Sequence, residues 1–78
     1  MTPGIAEDLE QSEVLHALRR HASGDWGDVR EEDRKENELS LTQAMRIFSV
    51  YHSNKGQKFW IITEANRSYT TVLLPEEY

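Results

Sequence analysis

The stretch from Arg46 to Leu74 reads RIFSVYH (46–52), SNKGQ (53–57), KFWIIT (58–63), EANRS (64–68) and YTTVLL (69–74). Its three longer runs are rich in β-branched and aromatic residues, and its two short runs carry turn formers. This pattern predicts a three-stranded antiparallel meander. Asn54-Lys55-Gly56 suits a three-residue hairpin loop with Gly56 in the left-handed region. Ala65-Asn66-Arg67 is expected to close the second hairpin, with Asn66 the residue that best tolerates positive φ.

Side-chain alternation then assigns the faces. The first turn sets Val50 opposite Trp60 and Phe48 opposite Ile62. The second is expected to set Val72 beside Trp60 and Thr70 beside Ile62. Phe48, Val50, Trp60, Ile62, Val72 and Leu74 would then form the core face, covered by the first helix. Ile47, Ser49, Tyr51, Phe59, Ile61, Thr63, Tyr69, Thr71 and Leu73 would share the other face. That is too much apolar surface to leave in water, so a second helix, a second protomer or a partner must cover it.

Upstream of the sheet the chain reads as helical. Thr2-Pro3 can cap and start a helix. Val14, Leu15, Leu18 and Ala22 lie at helical spacing, and Ser12 is expected to interrupt the segment, leaving residues 1–12 loosely held. The better-defined first helix runs from Glu13 to about Ala22, ends in Arg19-Arg20-His21 and is stopped by Ser23-Gly24. Next comes GDWGD (24–28), two glycines around an Asp-Trp pair. Trp26 is expected in the core, with Asp28 and Glu31 forming a capping box for a second helix, Val29 to Leu39 or Leu41. That helix is densely charged; Val29, Leu39 and Leu41 supply its thin apolar edge, and Asn37 is expected to face the sheet or the GDWGD loop. The fold class is therefore α+β, two N-terminal helices packed on a three-stranded antiparallel meander, as one small domain over residues 1–78.

Composition narrows the function classes. With 78 residues and no cysteine, neither a disulfide framework nor thiolate chemistry supplements the core. Three scattered histidines predict no metal site, and no cofactor motif is present. No run has membrane-spanning length and no charged-then-apolar leader opens the chain, so a cytoplasmic protein without membrane contact is expected. Residues 1–38 hold eleven acids and five bases, a net of −6, whereas residues 39–78 hold three acids and four bases, a net of +1. That sign disfavours nucleic acid as a partner.

The strings HASGDWGD (21–28), EEDRKENE (31–38) and WIITEANRSYTTVLLPEEY (60–78) resemble a group of small bacterial proteins found on plasmids and other mobile elements. Some of these are labelled type I restriction endonuclease subunit M. The resemblance covers roughly residues 14–78, and it departs at Ala44-Met45, where a glycine pair is common. It implies an accessory role and no defined biochemistry. Methyltransferase activity is not expected from these residues, which carry no glycine-rich S-adenosylmethionine loop and are too few for that fold.

Three functions compete at this level. The first is a non-catalytic accessory or regulatory module that binds a protein partner or self-associates, supported by the two-sided apolar sheet and the absence of a nucleophile–base pair at recognisable spacing. Its expected recognition surface is Tyr51, Thr63, Arg67, Tyr69 and Thr71, with GDWGD mainly structural. The second is a small metal-free ribonuclease of toxin type, with His21 as general base, Arg46 and Arg67 as phosphate cations, and Thr70, Thr71 and Tyr51 to orient the strand. The third is an acidic DNA mimic of anti-restriction type, although the five interleaved bases disturb a phosphate-like array.

Overall fold

Gly56, at φ 81°, turns β1 (Ile47–His52) back onto β2 (Lys58–Thr63), and Ser53 closes the loop through bonds from its N–H to Gln57 O (2.9 Å) and to its carbonyl from Gly56 N–H (2.9 Å). The computed structural model describes residues 1–43 and 45–78. The first hairpin has the expected register, Val50 against Trp60 and Phe48 against Ile62. With β3 (Thr70–Leu73) it forms an antiparallel sheet of order β1-β2-β3.

The second hairpin corrects the expected register by one residue. Glu64 N–H donates to Tyr69 O (3.1 Å), so Ala65 to Ser68 form a four-residue loop. Arg67, not Asn66, takes the positive φ (62°), while the Asn66 amide oxygen accepts from Ser68 N–H (3.0 Å). The extra loop residue pairs Trp60 with Leu73 and Ile61 with Val72. A slip of one inverts a strand's faces, so Val72 and Leu74 join Tyr51, Phe59 and Ile61 in the main core with Ile5, Leu9, Val14 and Ala17. The helix-covered face is therefore the one carrying Tyr51, Phe59 and Ile61. Phe48 and Trp60, expected in the core, are only half-buried on the opposite face, beside buried Val50 and Ile62.

Among the described residues the helices number three rather than two. Pro3 opens α1 (Pro3–Asp8), which drives Ile5 into the core with no exposed surface. The chain extends at Leu9 and Glu10 and restarts as α2 (Gln11–Ala22). Val14 and Ala17 are its buried residues, and Leu18 and His21 continue that stripe at spacings of three and four. Leu15 falls outside the stripe and is half exposed, which corrects its expected place on the apolar face. Both chain ends are stitched to β3. Thr2 N–H donates to Val72 O (3.0 Å), and Glu77, in the 3-10 turn Pro75–Glu77, accepts from the Thr2 hydroxyl, Gly4 N–H (3.0 Å) and Leu74 N–H (2.9 Å). These donors hold the Glu77 carboxyl below its ordinary range, the Thr2 hydroxyl foremost.

The outer edge of β1 is closed by the GDWGD loop and α3 (Glu31–Ser40). Trp26 is buried as expected, and the loop backbone runs alongside β1: Val50 N–H donates to Trp26 O (3.1 Å) and Asp28 N–H to Val50 O (2.8 Å). Gly27, at φ 68°, lies so close that a Cβ there would collide with the Val50 carbonyl. Asp28 caps no helix. Arg30 occupies the cap position without a side-chain bond, and the Asp28 carboxylate instead meets His52 Nδ1 at 2.9 Å. The helix starts later than the capping box implied because the Asp28 N–H is held by the Val50 carbonyl, next to the bridge that pairs Gly27 with Val50. Further along, Asn37 pairs with Phe48 and Ser40 Oγ donates to Arg46 O (3.2 Å), so α3 buries two polar residues while Leu39 and Leu41 stay exposed. The connection continues through residues 41–45, of which Ala44 lies outside the described residues. Among the described residues no helix is long and apolar enough to cross a membrane.

Candidate functional site

The face of the sheet opposite α1 and α2 is incompletely covered. Phe48 from β1 and Trp60 and Ile62 from β2 form the floor of a groove of about 350 Å³. Asp33, Glu36 and Asn37 of α3 form one wall, and Arg46 and Tyr78 complete the lining. The walls follow from chain connectivity. Asn37, 2% exposed, anchors α3 to the edge of β1, so residues one turn earlier overhang the sheet. The 3-10 turn returns the chain across β2 and brings Tyr78 beside Trp60.

Three rings meet in this groove. Phe48 and Trp60 make an edge-on contact (centroids 5.2 Å, planes at 78°), as do Trp60 and Tyr78 (5.8 Å, 69°). Arg46 fixes the third ring: its Nη1 donates to the Tyr78 hydroxyl (3.0 Å) and its guanidinium carbon lies 5.8 Å from the ring centroid. The same guanidinium approaches Glu64 at 3.6 Å. The bond to Tyr78 raises the Arg46 pKa, so Arg46 stays cationic. The groove thus has an aromatic floor, an acidic wall and a cation already partnered by Tyr78 and Glu64.

The sequence-predicted site residues divide among different places. His21 does meet Thr63 and, through it, Thr70: Nε2 lies 2.8 Å from Thr63 Oγ1, which lies 2.9 Å from Thr70 Oγ1, while Nδ1 lies 2.5 Å from Ser49 Oγ. Burial holds the His21 pKa below its ordinary value, which favours a neutral ring able to donate at one nitrogen and accept at the other. Ser49 has no exposed surface, so the Nδ1 side of the imidazole is enclosed, whereas Thr63 on the Nε2 side is half-buried and Thr70 beyond it is exposed. Arg46 lies on the opposite face of the sheet from His21. Arg67 spends its guanidinium on backbone carbonyls, Ser40 O and Met45 O at 2.6 Å, and Glu64 O and Ala65 O at 3.2 Å. Tyr51 is buried under Arg20, whose guanidinium carbon lies 4.8 Å from its ring, and donates to Asp25 O (2.5 Å); burial raises its pKa. Tyr69 is exposed in the second hairpin, and Thr71 lies on the groove face opposite Ile62.

Comparison with family models, curated proteins and solved structures gives no match. The groove residues Phe48, Trp60 and Tyr78 escaped the sequence reading because the strand parity had assigned the first two to the core. The available signal was Trp60 itself, a large ring in a chain whose other tryptophan already serves the core.

Proposed function

We propose that this chain is a non-catalytic protein-binding module that docks a basic segment of its partner in the groove between α3 and Tyr78. The observation that carries this reading is the half-open floor of Phe48 and Trp60 beneath an acidic wall. Large aromatic rings are costly to leave in water and are enriched where proteins meet. Charge complementarity selects the partner. Helix α3 carries five acids against two bases, and the groove lining itself nets −1 from Asp33, Glu36 and Arg46. A second copy of this chain, at −5 overall, would meet that wall with like charge, so a basic partner fits better than self-association. The resemblance of residues 14–78 to plasmid and mobile-element proteins supports an accessory role in such a system.

The test is calorimetric titration with a ten-residue peptide alternating lysine and leucine, beside its glutamate–leucine counterpart. Binding of the lysine peptide alone is expected. Asp33→Asn with Glu36→Gln should weaken it by about tenfold, the scale of a lost charge-assisted contact. Glu31→Gln with Glu32→Gln, on the same helix outside the groove, should leave it within about twofold. Equal losses from both pairs would reduce the interaction to general acidity and remove the groove from the function.

A further inference from the structure

We infer that the groove is an aromatic cage for an organic ammonium group, in the partner the side chain of a lysine or methylated lysine. This rests on the docking reading above and specifies the chemical group that the floor accepts. Phe48, Trp60 and Tyr78 stand with successive planes at 78° and 69°, so their faces point in different directions around one space. An edge-on contact uses the face of only one of its two rings. Two such contacts and one approach of Arg46 therefore leave ring faces free along the groove. Ring faces carry negative electrostatic potential and attract a cation within about 6 Å.

A flat hydrophobic slot would need neither this crossed arrangement nor acids. Asp33 and Glu36 stand on the wall over these rings. They supply the counter-charge that a desolvated cation needs, without closing the floor. The arrangement favours a rounded, weakly directional cation over a guanidinium. The planar cation position beside Tyr78 is already filled by Arg46, which fixes that ring by a hydrogen bond to its hydroxyl and lies 5.8 Å from its centroid. Glu64 at 3.6 Å offsets the Arg46 charge, so its repulsion of an incoming ammonium is reduced. An alkylated ammonium presents a positive surface of C–H groups to all three rings at once and loses no hydrogen bonds on leaving water.

The test pairs choline with its neutral isostere 3,3-dimethylbutan-1-ol, followed through the two tryptophan indole N–H resonances. Trp26 is buried and is not among the residues lining the groove, so it serves as the internal reference. Choline is expected to shift the Trp60 signal saturably and to leave Trp26 still. The neutral isostere should bind at least about fivefold more weakly, the ratio a partly desolvated cation–π contact supplies. Tyr78→Leu should abolish the Trp60 shift, and Tyr78→Phe should retain a weakened one, which separates loss of the ring from loss of its bond to Arg46; Tyr78 is largely exposed, so neither change threatens the fold. N-acetyl-trimethyllysine amide should outcompete choline if the source is a protein side chain; a free choline-like metabolite as the natural ligand would reverse that order and overturn the assignment to lysine. Equal binding of choline and its isostere, or no shift with choline while the lysine peptide binds, would overturn the cage and leave the docking groove standing. Failure of the lysine peptide together with choline would remove both.

Discussion

The side-chain amide of Asn37 reproduces a strand partner for Phe48: its Nδ2 donates to Phe48 O at 2.6 Å and its Oδ1 accepts Phe48 N–H at 3.0 Å. One buried residue of α3 thereby closes an edge that would otherwise offer a free donor and acceptor to another chain. The same contact fixes the height of α3 above the sheet and hence the width of the groove. Asn37→Ala leaves both Phe48 groups unpaired and is expected to cost about 1–3 kcal/mol. Urea unfolding measures it, and a loss under about 0.5 kcal/mol would show that α3 is held by other contacts.

Two glycines of the GDWGD region separate backbone strain from steric collision. Both Gly24 (φ 87°) and Gly27 (φ 68°) occupy the left-handed region, but only Gly27 lies against β1. Gly24→Ala meets nothing within 4 Å and is expected to cost only about 1 kcal/mol of conformational strain. Gly27→Ala must also displace the loop from Val50, breaking the bonds that hold Trp26, and is expected to unfold much of the protein. Near-equal thermal shifts for the two variants would contradict that difference.

The first hairpin was legible because Asn54-Lys55-Gly56 allows one loop length, with a glycine where positive φ is required. In the second, Asn66 drew the left-handed position on propensity alone, whereas Arg67 takes it. Four carbonyls around the Arg67 guanidinium lie in three separate segments, a tertiary compensation that local propensity cannot reveal. One residue in that loop decided which sheet face became core and concealed the groove. Asp28 shows the same limit: its spacing to Glu31 suits a capping box, but the Val50 carbonyl claims its N–H first.

Arg67 is accordingly expected to act on stability. Arg67→Ala removes bonds that tie α3's end and the strand entry to the second hairpin, at a cost of about 1–2 kcal/mol once the exposure of the site is discounted. Arg67→Gly relieves the positive φ and should recover part of that loss. Denaturant midpoints for the two variants measure the order. If alanine is neutral, the carbonyl contacts contribute nothing and Arg67 becomes available for a partner.

The half-buried His21 gives stability a defined dependence on pH. Its folded pKa lies below the ordinary 6.5, with burial as the cause. The unfolded chain therefore binds this proton more readily than the folded one, and acid favours unfolding. The contribution is fully present above about pH 6.5 and declines as pH falls from there toward the folded value. Melting temperatures between pH 7.5 and 5.5 should drop for the wild type and drop less for His21→Gln, whose amide can still meet Ser49 and Thr63. Asp25 and Glu77, both held below their ordinary values by hydrogen bonds, contribute their losses at lower pH. Identical slopes for the two proteins in this window would assign the pH dependence to other groups.

The two tryptophans are expected to differ in both energy and exposure, although sequence reasoning gave both to the core. Trp26, 6% exposed, is enclosed between the loop and β1, and Trp26→Ala should cost about 3–5 kcal/mol. Trp60 is half-buried in the groove floor, so less area returns to water on truncation. Trp60→Ala should cost about 1.5–3 kcal/mol, leaving a cooperative though weakened melt. Fluorescence reads exposure independently of stability. Acrylamide should quench the Trp60 emission that remains in Trp26→Phe, and should quench far less of the Trp26 emission that remains in Trp60→Phe. Equal quenching would place both rings in similar surroundings, and the groove would then lack the exposed aromatic floor on which its binding role depends.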